Sequence, residues 1–261
     1  MPRLPTLFVS HGAPNLVLHN SEAKRFLEGF GAELPRPKAI VVASAHFDAP
    51  EPLATADERP HTTYDFRGFE PELYQMTYPA PGSPELAERA TRLLAQAGFP
   101  AHPVKGLGFD HGTWVPMTLL FPKADIPVVQ LAIQSEAGPE HHLKVGEALA
   151  PLAEQGVLIV GSGSLTHNLH EFFRGGYALD APAPEWVAGF GEWMRERIET
   201  GAREDLVNYR ERAPHAAANH PTEDHLLPLF VVLGASGAGR GRRVHTSHEY
   251  GVLMMDAYLF A

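Results

Sequence analysis

The sequence predicts an α/β fold: a single domain with a mostly parallel central sheet flanked by helices on both faces. Three observations carry that prediction. Four short runs rich in Val, Ile and Leu are bounded by Pro, Gly or polar residues, the pattern of strands buried on both faces. Stretches with helical periodicity lie between them, and alternating strand and helix implies a sheet covered by helices. No convincing linker or internal repeat divides residues 1–261, so they read as one domain.

In chain order, Thr6–Ser10 (TLFVS) and Ala39–Ser44 (AIVVAS) are the first two strands. Ala49–Gly82 is rich in Pro, Tyr and Phe with little helical pattern, and suits a long functional loop or a small hairpin excursion. Pro84–Ala97 is a helix with Ser83 as N-cap and Gly98 as its stop. An apolar, helix-like run, Trp114–Phe121, precedes the strand Pro127–Ile133. Glu140–Glu154 is amphipathic, with His141 and His142 expected on its solvated surface. Val157–Gly161 is the fourth strand, and Glu185–Thr200 an amphipathic helix. Thr222–Leu233 is expected as a helix capped by Thr222, with Glu223 and Asp224 suiting its positive end. Gly234–Arg243 reads as flexible, and Gly251–Phe260 as a final strand.

Composition narrows the function. With 44% hydrophobic and 20% charged residues, the chain is neither disordered nor a coiled coil. Lys and Arg number 21 against 31 Asp and Glu, a net charge of −10 that argues against nucleic acid as a partner. No apolar run is long enough to span a membrane, and the first residues lack a signal-peptide pattern, so a cytoplasmic location is expected. There is no cysteine, which excludes thiol nucleophiles and thiolate metal sites, but there are 15 histidines. The sequence carries no signal for an oligomeric state.

The placement of the histidines matters more than their number. His11, His46 and His167 each follow the carboxyl end of a predicted strand, the edge at which open α/β sheets bind ligands. His111 opens the apolar run after FD, and His220 and His225 flank the start of the Thr222 helix, where the dipole should keep His225 neutral. The chain matches neither phosphate-loop pattern, no GxSxG elbow and no HExxH motif. Metal chemistry by dispersed histidines is what remains.

Six blocks in order resemble the class III extradiol ring-cleaving dioxygenases, specifically the DOPA 4,5-dioxygenase-like branch. They are Phe8–Pro14 (FVSHGAP), Ala43–Phe47 (ASAHF), Tyr64–Gly82, Gly106–Met117 (GLGFDHGTWVPM), Gly161–Phe172 (GSGSLTHNLHEF) and Asn219–Leu229 (NHPTEDHLLPL). The resemblance implies one catalytic domain over residues 1–261 that opens a catechol ring with dioxygen at a non-haem metal. It implies His11, His46 and His225 as ligands, with Glu223 and Asp224 near enough in sequence to offer a carboxylate instead. Fe(II) is the expected ion, and Zn(II) suits the same three histidines. His111 and His167 become the acid–base pair, with Asp110 orienting His111. Tyr64, Asp65 and Phe66 line the substrate pocket, and His220 touches substrate or supports the site. Two alternatives stay open at this point: a zinc hydrolase-like enzyme on the same histidines, and a non-catalytic metal- or phenol-binding protein.

Overall fold

A computed structural model describes residues 3–237 and 239–261. Its strands are β1 (Thr6–Ser10), β2 (Ala39–Asp48), β3 (Leu53–Thr55), β4 (His102–Val104), β5 (Val128–Ile133), β6 (Val157–Gly163), β7 (Arg242–His245), β8 (His248–Glu249), β9 (Leu253–Met254) and β10 (Ala257–Phe260). Eight of them form one sheet in the order β4-β3-β5-β2-β6-β1-β10-β7, and β8 pairs with β9 in a separate small hairpin. The central four, β5, β2, β6 and β1, are mutually parallel, and β10 and β3 join them antiparallel on either side. All residues of β1, β5 and β6 are buried, as the unbroken apolar runs predict.

Helices cover both faces, and β6 shows why. Successive strand residues point to opposite sides. A side chain at Gly161 would meet the Pro228 carbonyl at 2.3 Å, and one at Gly163 the His225 carbonyl at 2.1 Å, so this face lies against the Leu227–Ser236 helix. Ser162, between them, faces the other way and donates its hydroxyl to the carbonyl of Gly112 in the His111–Leu120 helix. Behind the first face the Gly138–Glu154 helix packs on Leu227–Ser236. Their backbones come close enough that a side chain at Gly146 would strike the Val231 carbonyl at 2.0 Å.

Several local expectations are corrected. Thr222 caps no helix; the helix begins at Leu227, with Pro228 in its first turn, and every residue to Ser236 is buried. The predicted first turn is instead an irregular segment that carries Asp224 and His225. His142 is not on the solvated surface: it is fully buried, donating from Nδ1 to the Gly138 carbonyl and accepting the Gln134 N–H at Nε2. The last strand is confined to Ala257–Phe260, because Leu253–Met254 turns back on β8. The Glu22–Phe30 helix, capped by Ser21, was not anticipated. In the stretch read as flexible, Gly234–Ser236 closes a helix and Arg242–Arg243 opens β7, while Ala238 lies outside the described residues.

Candidate metal centre and its cavity

The sheet register brings the strand ends level. Ser10 pairs with Gly163 across β1 and β6, and Ser44 pairs with Ser162 across β2 and β6. His11 therefore emerges one residue past β1, and His46 two residues past Ser44, on either side of Ser162. The segment that bears His225 arrives from the far side. Ser164 donates its backbone N–H to the His225 carbonyl at 2.8 Å, which pins His225 beside the end of β6.

Three imidazole nitrogens converge there. His46 Nε2 lies 3.1 Å from His11 Nε2 and 3.2 Å from His225 Nε2. The surrounding bonds assign the tautomers of the outer two rings. His11 Nδ1 sits 3.0 Å from Ser162 Oγ, whose own hydrogen is committed to the Gly112 carbonyl, so His11 Nδ1 is the donor. His225 Nδ1 donates to the carboxylate of Asp224. Both rings therefore present bare Nε2 lone pairs to His46, which has one proton at most to share between them. This donor set fits a divalent cation: neutral imidazoles with outer N–H groups held by a hydroxyl and a carboxylate.

Electrostatics agree. Burial, and then the neighbouring imidazoles, hold His11 and His225 well below the usual histidine range. His46 is pushed down to about 3, first by burial and then by His111, against a raising influence from Asp65. At neutral pH these three rings are uncharged, the form a metal requires. For His225 the cause is burial among imidazoles rather than the expected helix dipole.

Two further histidines flank the three. The His111 ring lies 3.8 Å from that of His46, centre to centre, and its Nδ1 is 2.9 Å from Asp65 Oδ2. Asp65 Oδ1 also accepts the backbone N–H of His111 at 3.0 Å, so one carboxylate grips both. His167 stacks on His225 at 3.4 Å with 10° between the rings. Burial lowers it to about 4, with the charge of Asp224 opposing that shift. Among the described residues, two sets can each bring ligand atoms within 4.8 Å of one another: His11, His46 and His111, and His167, Asp224 and His225. The His46–His225 contact joins both into one cluster.

The five rings form the floor of a cavity of about 330 Å³, walled by Phe66, Phe69, Leu169, Phe172, Phe173 and Leu253 and edged by Arg67. Of the pocket residues expected from sequence, Phe66 lines it. Asp65 stands behind His111. Tyr64 packs against Phe66 and Trp114 and donates its hydroxyl to the Met76 carbonyl at 2.8 Å. His220 is fully buried behind the floor, its Nε2 donating to the Leu165 carbonyl at 2.8 Å. Asp110 does not orient His111. Its carboxylate caps the helix at Thr113 N–H and accepts from Ser44 Oγ, and burial raises it to about 6. Sequence reasoning missed Ser162, Arg67 and the outer aromatic wall. Only Ser162 left a trace, as the one side chain between two strand glycines.

The pattern of the family described as the catalytic LigB subunit of aromatic ring-opening dioxygenase matches residues 8–260. The chain belongs to that family. It is 42% identical over 260 residues to a 4,5-DOPA dioxygenase extradiol of Beta vulgaris, covering 98% of this chain and 96% of the relative. It is 40% identical over 236 residues to the Escherichia coli protein of the same name, covering 89% of this chain and 85% of that one. The crystal structure of an uncharacterized Escherichia coli K12 protein matches at a TM-score of 0.80 and 36% identity, covering 99% of this chain and all of that one. As an extradiol ring-opening dioxygenase, the enzyme is metal-dependent and takes a small aromatic molecule and dioxygen. The hydrolase and non-catalytic alternatives fall with that assignment. Among the described residues, no helix is long and apolar enough to cross a membrane.

Proposed function

We propose that His11, His46 and His225 hold a ferrous ion through their Nε2 atoms, and that the enzyme opens a catechol of the DOPA type beside its diol. The observation that carries this is the pair of bare Nε2 lone pairs aimed at His46 Nε2 on the floor of an apolar cavity. The ion would supply a Lewis-acidic seat for the two diol oxygens and the redox capacity that dioxygen chemistry needs, which zinc lacks.

The protein supplies orientation and protons. The aromatic walls around Phe66 and Phe172 sandwich the ring and exclude water. His111 keeps its Nδ1 proton on Asp65, leaving an Nε2 lone pair to accept a diol proton, and Asp65 stabilises the resulting imidazolium. His167, across the floor on the His225 side, is neutral at rest and serves as the second proton carrier at the ring-opening step. His220 and Tyr64 support this floor and wall from behind rather than touching the substrate.

Protein reconstituted with Fe(II) under nitrogen and then exposed to air should turn a catechol yellow while consuming one dioxygen per ring. No uptake across a catechol panel, with iron loading verified, would sink the proposal. Equal activity of the zinc-loaded protein would overturn the choice of iron.

A further inference from the structure

The lining of the cavity includes Arg67 and no lysine, second arginine or carboxylate among the described residues. Among the described residues Arg67 forms no ion pair and no side-chain hydrogen bond. The acidic residues nearest to it in sequence are engaged elsewhere: Asp65 on His111, and Glu70 on Asn15 at 3.3 Å and His19 at 3.7 Å. Arg67 is exposed, yet it lies between two wall residues, Phe66 and Phe69, whose rings meet edge to face at 5.4 Å. Packing thus fixes the backbone on either side of Arg67, an exposed residue on the lining of the cavity.

We propose that Arg67 selects catechols that carry a carboxylate on a short side chain para or meta to the diol, by pairing with that carboxylate at the cavity mouth. This rests on the ring-opening reading above. With the diol on the histidine floor and the ring between aromatic walls, a para or meta substituent points away from the floor, toward the edge that Arg67 occupies. The cavity, about 330 Å³, is larger than a bare catechol needs. The chain as a whole carries −10 and repels anions, so a guanidinium at the edge of the cavity, apart from the floor where the diol docks, favours a substituent that carries negative charge. A guanidinium also matches a carboxylate with two parallel N–H donors, which gives orientation as well as attraction.

The test compares dihydrocaffeate with its uncharged amide, near-isosteres that differ in the carboxylate. The ratio of their kcat/KM values in the iron-loaded enzyme should favour the acid. In Arg67→Gln that ratio should fall by about tenfold, chiefly through KM, and Arg67→Lys should restore part of it. Arg67→Glu should turn the preference toward dopamine, whose side chain ends in an ammonium. An unchanged ratio in Arg67→Gln, with both compounds opened, overturns the role of Arg67 and leaves ring opening intact. Failure of the wild type to open either compound counts against the ring-opening reading instead. Calorimetric titration of dihydrocaffeate under nitrogen reads the same preference without turnover. A Kd about tenfold weaker in Arg67→Gln supports the proposal, and equal Kd values overturn it even if neither compound is opened.

Discussion

Replacing Asp65 by Asn tests the proton-transfer assignment at a residue outside the cavity lining, whose carboxylate hydrogen-bonds none of the proposed ligands and comes no nearer than 3.8 Å to His46 Nδ1. In the wild type, one carboxylate accepts two N–H groups from His111, the backbone at 3.0 Å and ring Nδ1 at 2.9 Å. Burial pushes this carboxyl upward, but the His111 hydrogen bonds and charge outweigh it and hold Asp65 below the ordinary range. An amide has one acceptor. The backbone N–H can only donate, so it claims the Asn oxygen and the Asn NH2 is left facing Nδ1. Nδ1 must then accept, and the ring proton moves to Nε2, where the lone pair was needed. The general base is lost although geometry, volume and net fold are kept. Loss of a positioned base costs about 10²–10⁴ in rate. We expect kcat in Asp65→Asn to fall within that range, KM to change by less than about threefold, and iron stoichiometry to match the wild type. An oxygen electrode with a catechol at saturating concentration, beside metal analysis of the same sample, measures all three. A kcat within about threefold of wild type at full iron loading would refute the tautomer argument and move the base elsewhere.

Three further outcomes follow. His11→Ala or His46→Ala should abolish stable metal binding, because two imidazoles cannot complete the ligand face; stoichiometric metal in either variant would show the centre misplaced. Gly163→Ala drives a Cβ to 2.1 Å from a His225 carbonyl already tied to Ser164 N–H, so urea unfolding should show a loss of about 3 kcal/mol or more, and wild-type stability would contradict that contact. Burial lowers His142 to about 4, so below its unfolded value of 6.5 the unfolded state binds the extra proton: its stabilisation is full above pH 6.5 and lost as pH falls toward 4. That is about 3 kcal/mol in all, and in His142→Gln the pH slope of stability over this window should flatten by about 1.4 kcal/mol per pH unit, whereas equal slopes would mean the ring is charged or hydrated in the native state.

What was legible in the sequence follows from what is local. β1, β2 and β6 announce themselves as apolar runs, and their parallel pairing makes their carboxyl ends coincide, so His11, His46 and the segment bearing His167 were readable as neighbours. The Leu227–Ser236 helix was misplaced because it is buried all round and has no polar face to set its phase. The acids read as its first turn serve another purpose, with Asp224 committed to His225. His142 was misjudged because sequence shows a polar residue in a helix's first turn. It does not show that Gly138 and Gln134 satisfy both ring nitrogens there. The partner of His111 was likewise out of reach. Asp110 is adjacent, but its carboxylate is consumed in capping its own helix. The real partner comes from 46 residues upstream, and only the folded loop delivers it.

The centre also explains why its supports are spread over the whole chain. Gathering imidazoles below the surface costs free energy unless they stay neutral, and burial drives His11, His46, His167 and His225 that way. Neutral rings still have two tautomers, and only one offers Nε2 to a metal. Ser162 settles this for His11 and Asp224 for His225, each from a different part of the fold. Ser162 acts only because its own proton is taken by the Gly112 carbonyl. That carbonyl is brought close because Gly112 has no side chain: a Cβ there would sit 2.5 Å from Ser44 Oγ and 3.1 Å from His46 Cδ2. Gly112 thus links the His111 helix, the end of β2 and the tautomer of His11. The residue after the proposed base must be glycine for His11, the proposed ligand, to be in the form that binds.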